Sequence, residues 1–135
     1  MYIRVLLVDD NAVFLHQIAK LLSTEFTIVA TASDGMELLT ACDRHNPDVI
    51  VTDIAMPGIN GIEAVRTLRA NRTQTPIVML TVDRAPEMVE CAMDAGATAY
   101  VDKLAAGEDL IPAIRLAFDG KRFISGSPFP DAVNA

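Results

Sequence analysis

Three aspartates, a threonine and a lysine have types and positions that could make one reactive centre: Asp9 and Asp10 side by side, Asp53, Thr81 and Lys103. Each ends or closely follows a short apolar run. Val5-Leu6-Leu7-Val8 precedes Asp9-Asp10, Val49-Ile50-Val51 precedes Asp53, Ile77-Val78-Met79-Leu80 precedes Thr81, and a weaker run, Ala99 to Val101, precedes Lys103. Unbroken apolar runs are those of parallel strands covered on both faces. In open sheets of such strands, ligands sit outside the carboxyl ends at the switch point, between the first and third strands for order 2-1-3-4-5. The five side chains are therefore expected on one rim.

Carboxylates a few ångströms apart repel by about 4 kcal/mol per pair at an effective dielectric near 20, so three of them call for a cation or a shared proton. A hard divalent ion meets that need. Mg²⁺ prefers oxygen ligands and often joins carboxylates to a phosphoryl group, whereas zinc would want His or Cys ligands that this rim lacks. Taken singly, each residue has an ordinary reading: an aspartate capping a helix or closing a turn, a strand-end hydroxyl at Thr81, a solvated lysine at Lys103. His16 and His45 fall in or beside helical patterns away from the rim.

The elements that must position these groups alternate. Thr27 to Ala32 reads as a further weak strand, and helical stripes run through Phe14, Ile18, Leu21 and Leu22 and through Leu110, Ile111, Ile114, Ala117 and Phe118. Asp34 with Glu37 has capping-box spacing, Pro86 suits a first helical turn, and Gly96 and Gly120 suit positions just past helix ends. Pro112 predicts a last helix that begins late, near Glu108, or bends. Strict βα alternation predicts an α/β flavodoxin-like, doubly wound (βα)5 sandwich with a five-stranded parallel sheet of order 2-1-3-4-5. One domain is expected over residues 1–124. Residues 125–135, with Gly126, Pro128 and Pro130, are expected to be an irregular tail or the start of a linker to an effector domain.

Composition narrows the classes. The 135 residues are 51% apolar, enough for one sizeable core. No apolar run approaches the roughly 18 residues of a membrane span and no signal peptide opens the chain, so a cytoplasmic location without membrane contact is expected. Cys42 and Cys91 sit beside apolar neighbours in helical patterns and are expected as small buried hydrophobes. A formal net charge of −7 opposes docking to a phosphate backbone, so this domain itself is expected not to bind DNA.

With these residues placed, nearly the whole chain resembles the receiver domains of two-component response regulators. Val5 to Asn11 is similar to that family's first strand and acidic pair. Asp53-Ile54-Ala55-Met56-Pro57-Gly58-Ile59-Asn60-Gly61 is similar to its phosphoacceptor strand and following loop, and Ala97-Thr98-Ala99-Tyr100-Val101-Asp102-Lys103 to its fifth strand. The resemblance implies that Asp53 accepts a phosphoryl group from a sensor histidine kinase or phosphotransfer protein. It further implies that Asp10 and Asp53 ligate Mg²⁺ directly, with Mn²⁺ able to substitute, Asp9 through water and Ala55 through its backbone carbonyl. Lys103 would pair with the acceptor and then the phosphoryl group, and Thr81 would hydrogen-bond a phosphoryl oxygen. Tyr100 would change rotamer with Thr81 and alter a protein-contact face, including that of a homodimer.

Leu104 stands where many receivers have proline, which weakens the expectation of a cis peptide there. The stretch Lys103 to Ser125 is most similar to the NarL/FixJ (LuxR-type) class, whose receivers precede a DNA-binding effector, so regulation of transcription through an attached or partner effector is expected. A haloacid dehalogenase-type phosphohydrolase also uses a strand-end aspartate, but its general acid/base aspartate would fall at Ala55. The chain therefore reads as a switch that catalyses its own phosphorylation and slow dephosphorylation, not as an enzyme. Asp83 is a candidate for contact with the water that attacks the phosphoryl group.

Overall fold

In the computed structural model, which describes residues 2–126, each expected strand forms and each is followed by a helix. The order is β1 (Arg4–Val8), α1 (Ala12–Leu22), β2 (Thr27–Ala32), α2 (Gly35–His45), β3 (Val49–Thr52), α3 (Gly61–Ala70), β4 (Ile77–Thr81), α4 (Pro86–Ala95), β5 (Ala99–Asp102), a 3₁₀ turn (Lys103–Ala105), α5 (Ala106–Phe118) and β6 (Phe123–Ile124). All neighbouring strands pair in parallel. The order β2-β1-β3-β4-β5-β6 contains the expected five-strand core and extends it by one short strand.

Alternation along the strands explains why their sequences are apolar throughout. Val5 and Leu7, with Val49, Val51, Val78 and Leu80, face Ile18 and Leu22 of α1 and Leu110, Ile114 and Ala117 of α5. Leu6 and Val8, with Ile50, Ile77 and Met79, face α2, α3 and α4 through Leu38, Cys42, Val65, Leu68 and Ala92. Both faces of the sheet are thus dry, and polar groups are left to the strand ends. None of the described helices is long and apolar enough to cross a membrane.

Two details add to the expectations and one departs from them. The sheet has six strands, because Phe123–Ile124 pairs with Ala99 and Tyr100 and covers an edge that would otherwise present unpaired backbone groups. Ser125, expected in the irregular tail, belongs to this edge: its N–H donates to the Tyr100 carbonyl at 2.8 Å. The rest of the expected tail, residues 127–135, lies outside the described residues. Finally, α5 starts at Ala106 rather than near Glu108 and runs through Pro112. Pro112 and Glu108 are both on the solvent side, where water can satisfy the carbonyl deprived of its donor, while Leu110, Ala113 and Ile114 hold the helix to the sheet.

Local signals act largely as read. Asn11 Oδ1 accepts from Phe14 N–H to start α1, Asp34 Oδ1 accepts from Glu37 N–H to start α2, Pro86 opens α4, and Gly96 ends it at φ +120°. The reciprocal half of the box expected at Asp34 is absent, since Glu37 turns to Ser33 instead. The complete capping box is at Asn60 and Glu63, which starts α3.

Gly61 makes the closest backbone approach near the rim. Its N–H donates to the Ile54 carbonyl at 2.8 Å, and a Cβ there would stand 2.2 Å from the Asp53 carbonyl oxygen. Gly61→Ala should therefore cost about 1–3 kcal/mol in urea unfolding by forcing the loop away from α3. Gly107→Ala, in a first helical turn with nothing within 4 Å of the added methyl, should instead stabilise by about 0.5 kcal/mol. Equal destabilisation of both would remove the close contact as the cause.

Candidate functional site

Register brings the first two carboxylates together. Val8 lies opposite Thr52, and Asp53 N–H donates to the Val8 carbonyl at 3.0 Å, so Asp9 and Asp53 follow the ends of neighbouring strands at the same level. Asp9 and Asp53 are buried, whereas Asp10 is exposed. Carboxylate oxygens of all three lie within 4.8 Å of one another.

The cation comes from the other side of β4. Lys103 follows β5, two inter-strand spacings or roughly 10 Å from β3, a span suited to a long flexible stem. Its Nζ lies 2.9 Å from Asp53 Oδ2 and 2.7 Å from Asp9 Oδ2. Burial alone would lower the Lys103 pKa, but the contacts with Asp9 and Asp53 outweigh it and the net shift is upward. Each carboxylate is also held by its own backbone: Asp53 Oδ1 accepts from Ile54 N–H at 2.7 Å and Asp9 Oδ1 from Asn11 N–H at 2.8 Å. Asp9 Oδ2 has no aligned hydrogen-bond donor and relies on the ammonium beside it.

One ammonium against three carboxylates leaves the cluster strongly negative. The all-oxygen donor set and the under-satisfied Asp9 Oδ2 fit a hard cation, and Asp10 is the most open of the three carboxylates. Ala55 is exposed in the turn after β3, and its carbonyl accepts no backbone hydrogen bond among the described residues.

The other expected residues surround this centre. Thr81, buried at the end of β4, accepts at Oγ1 from Asp83 N–H at 3.3 Å. Asp83 Oδ1 closes a turn by accepting from Ala85 N–H, the ordinary role of a loop aspartate. Tyr100 is 2% exposed, and its hydroxyl donates to the Asp83 carbonyl. Its phenol is pushed up to about 12, first by burial and then by the charges of Asp83, Asp53 and Asp102. Beside it a groove of about 450 Å³ runs between α4 and the β5–β6 edge, past Arg84, Met93 and Ile124.

His16 lies on the exposed side of α1. His45 ends α2 at the opposite end of the sheet, where its carbonyl accepts from Arg4. Cys42 is buried and Cys91 half-buried, both as free thiols. The peptide bonds of the described residues are all trans, in keeping with Leu104 after the lysine.

Two supporting groups escaped the sequence reading. Asp102 is buried, accepts from Leu104 N–H and lies 3.4 Å from Arg84 Nε, while its own N–H donates to Ser125 Oγ. Phe14 has its ring centroid 4.5 Å from Lys103 Nζ. Its place in a helical stripe pointed only to packing.

Comparison with known proteins bears on this arrangement. Residues 5–115 match the response regulator receiver domain family. The transcriptional regulatory protein PdtaR of Mycobacterium tuberculosis is 40% identical over 123 residues, 90% of this chain and 60% of that protein. The response regulator UvrY of Escherichia coli is 35% identical over 125 residues, 91% and 57% of the respective chains. The chain thus spans about three-fifths of the length of these curated relatives. Among solved structures, a LuxR-family two-component response regulator from Aurantimonas superposes with TM-score 0.90 at 28% identity, covering 99% of this chain and 97% of that one.

Two outcomes follow from the electrostatics. Asp10→Asn should raise metal-free stability by up to about 1 kcal/mol, a small figure because the group is exposed, while weakening Mg²⁺ binding. Thermal melts with and without Mg²⁺ measure both; unchanged Mg²⁺ affinity would place the ion elsewhere. For Tyr100, the folded state holds the phenolic proton more tightly than an ordinary phenol does at its usual pKa of 10.0. Its contribution is therefore full below pH 10 and lost as pH rises through about 12. Urea midpoints should fall less steeply across that window in Tyr100→Phe than in wild type, and parallel curves would contradict the shift.

Proposed function

Since this chain belongs to the response regulator receiver family, we propose that it is switched by phosphorylation of Asp53, with Mg²⁺ held by Asp10, Asp53, the Ala55 carbonyl and, through water, Asp9. The observation that carries this reading is the placement of Lys103 Nζ, 50 residues away in sequence, at 2.9 Å from Asp53 Oδ2. Asp53 is the only carboxylate of the cluster that follows the central strand β3 and also contacts the lysine.

In the proposed reaction a carboxylate oxygen of Asp53 attacks the phosphorus of a phosphohistidine on a sensor kinase or phosphotransfer protein, and the phosphorus–nitrogen bond breaks as the acyl phosphate forms. Ile54 N–H holds the Asp53 carboxylate in place. Lys103 moves its charge from the carboxylate to the phosphoryl oxygens, and Thr81 donates its hydroxyl to one of them. Bound Mg²⁺ would supply further charge neutralisation at the same oxygens. The chain thereby promotes its own phosphorylation and slow hydrolysis without turning over an external substrate, and no side-chain acid or base stands at Ala55.

The output is proposed to be a change of protein contact. Tyr100 sits between Asp83, beyond Thr81, and the groove along α4, so a shift at Thr81 can alter that face. A second copy of the chain or an effector, attached or separate, is the proposed partner, with regulation of transcription as the outcome. The net charge of −7 disfavours DNA contact by this domain.

Intact-mass analysis after acetyl phosphate and Mg²⁺ should show one phosphoryl group on wild type and none on Asp53→Asn. Equal labelling of both would refute Asp53 as the acceptor.

A further inference from the structure

An ammonium on a four-carbon stem is a mobile point charge, and the two carboxylates that hold Lys103 are both groups whose charge or partners change in the proposed reaction. The third contact does not change. Phe14 presents its ring 4.5 Å from Nζ, within the range at which a cation is drawn to an aromatic face. The start of α1 that carries this ring is tied to the same aspartate: Phe14 N–H donates to Asn11 Oδ1 at 3.1 Å, and Asn11 N–H donates to Asp9 Oδ1 at 2.8 Å. Asp9, Asn11, Phe14 and Lys103 thus form a closed circuit, returning to Asp9 through Oδ2 at 2.7 Å. The side chain also packs against the core between α1 and α5, which limits its own movement.

We propose that Phe14 is a positioning residue for phosphoryl transfer, its ring holding the Lys103 ammonium in line while Asp53 changes from carboxylate to acyl phosphate. This rests on the reading of Asp53 as the phosphoacceptor. Leucine would fill much of the same space but has no aromatic face. An unheld ammonium would spend less time where charge develops on the phosphoryl oxygens, so the loss belongs to the maximal rate rather than to donor binding.

The test compares Phe14→Leu and Phe14→Tyr with wild type, using acetyl phosphate and Mg²⁺ so that no protein partner is involved. Phe14→Leu should slow labelling of Asp53 by about 3- to 30-fold in maximal rate, with little change in the half-saturating donor concentration, and Phe14→Tyr should restore it. Independently of phosphorylation, proton NMR of the metal-free protein should show the ε-methylene protons of Lys103 moved upfield by the ring current, relative to those of Lys20 and Lys121. The shift should vanish in Phe14→Leu. A wild-type rate in Phe14→Leu, equal slowing in both variants, or a defect seen only with a histidine kinase as donor would overturn the proposal, as would retention of the upfield shift in Phe14→Leu. If wild type itself takes no label, the phosphoacceptor reading fails, while the Lys103 shift still decides whether the ring holds the ammonium.

Discussion

Repulsion among Asp9, Asp10 and Asp53 is the constraint around which the carboxyl rim of the sheet is built. Their oxygens lie within 4.8 Å, where the buried pair Asp9 and Asp53 repels by roughly 3–4 kcal/mol at an effective dielectric of about 20 and the exposed Asp10, screened by water, adds less. A single ammonium brought across β4 offsets part of that cost and leaves the remainder as affinity for an added cation. The site is thus held in a state that a metal ion improves. Its unfavourable electrostatics must be borne by the rest of the fold.

That support comes from a sheet buried on both faces. The runs Val5–Val8, Val49–Thr52 and Ile77–Thr81 place alternate side chains into two separate cores, so the strands cannot slide without exposing an apolar row. Register is then rigid enough to set Asp9 beside Asp53. The loop after β3 is held by Gly61, whose missing side chain lets α3 start against the Asp53 backbone.

The far edge links the site to surface contacts. Ser125 receives the Asp102 N–H and donates to Asp109 Oδ2 at 2.8 Å, joining the strand before Lys103 to α5 and to the chain that follows β6. Tyr100, two residues inward along β5 from Asp102, ties the strand to the loop after Thr81. Groups on either side of Lys103 therefore feel both the acidic centre and the groove along α4. The Arg84–Asp102 pair at 3.4 Å adds little to this link, because Arg84 is largely exposed.

Much of this was legible in the chain itself. Unbroken apolar runs ending in Asp, Asp and Thr reveal buried parallel strands and their chemical ends, because burial on both faces removes the alternation of a half-exposed strand. Capping residues and glycines likewise mark helix ends, since they answer local backbone demands. Other features needed the folded molecule. A two-residue strand such as Phe123–Ile124 is too short for any period to register, and it exists because β5 has an edge to cover. The continuity of α5 through Pro112 depends on which side of the helix meets water. The full capping box at Asn60 and Glu63, rather than at Asp34, depends on where each glutamate can reach. The ring of Phe14 over Lys103 joins residues far apart in sequence, and spacing along a helix can tell only that such a ring faces inward. Sequence determines local preference and the burial pattern, whereas contacts between distant side chains arise only when the strands are in register and each stem has a fixed origin.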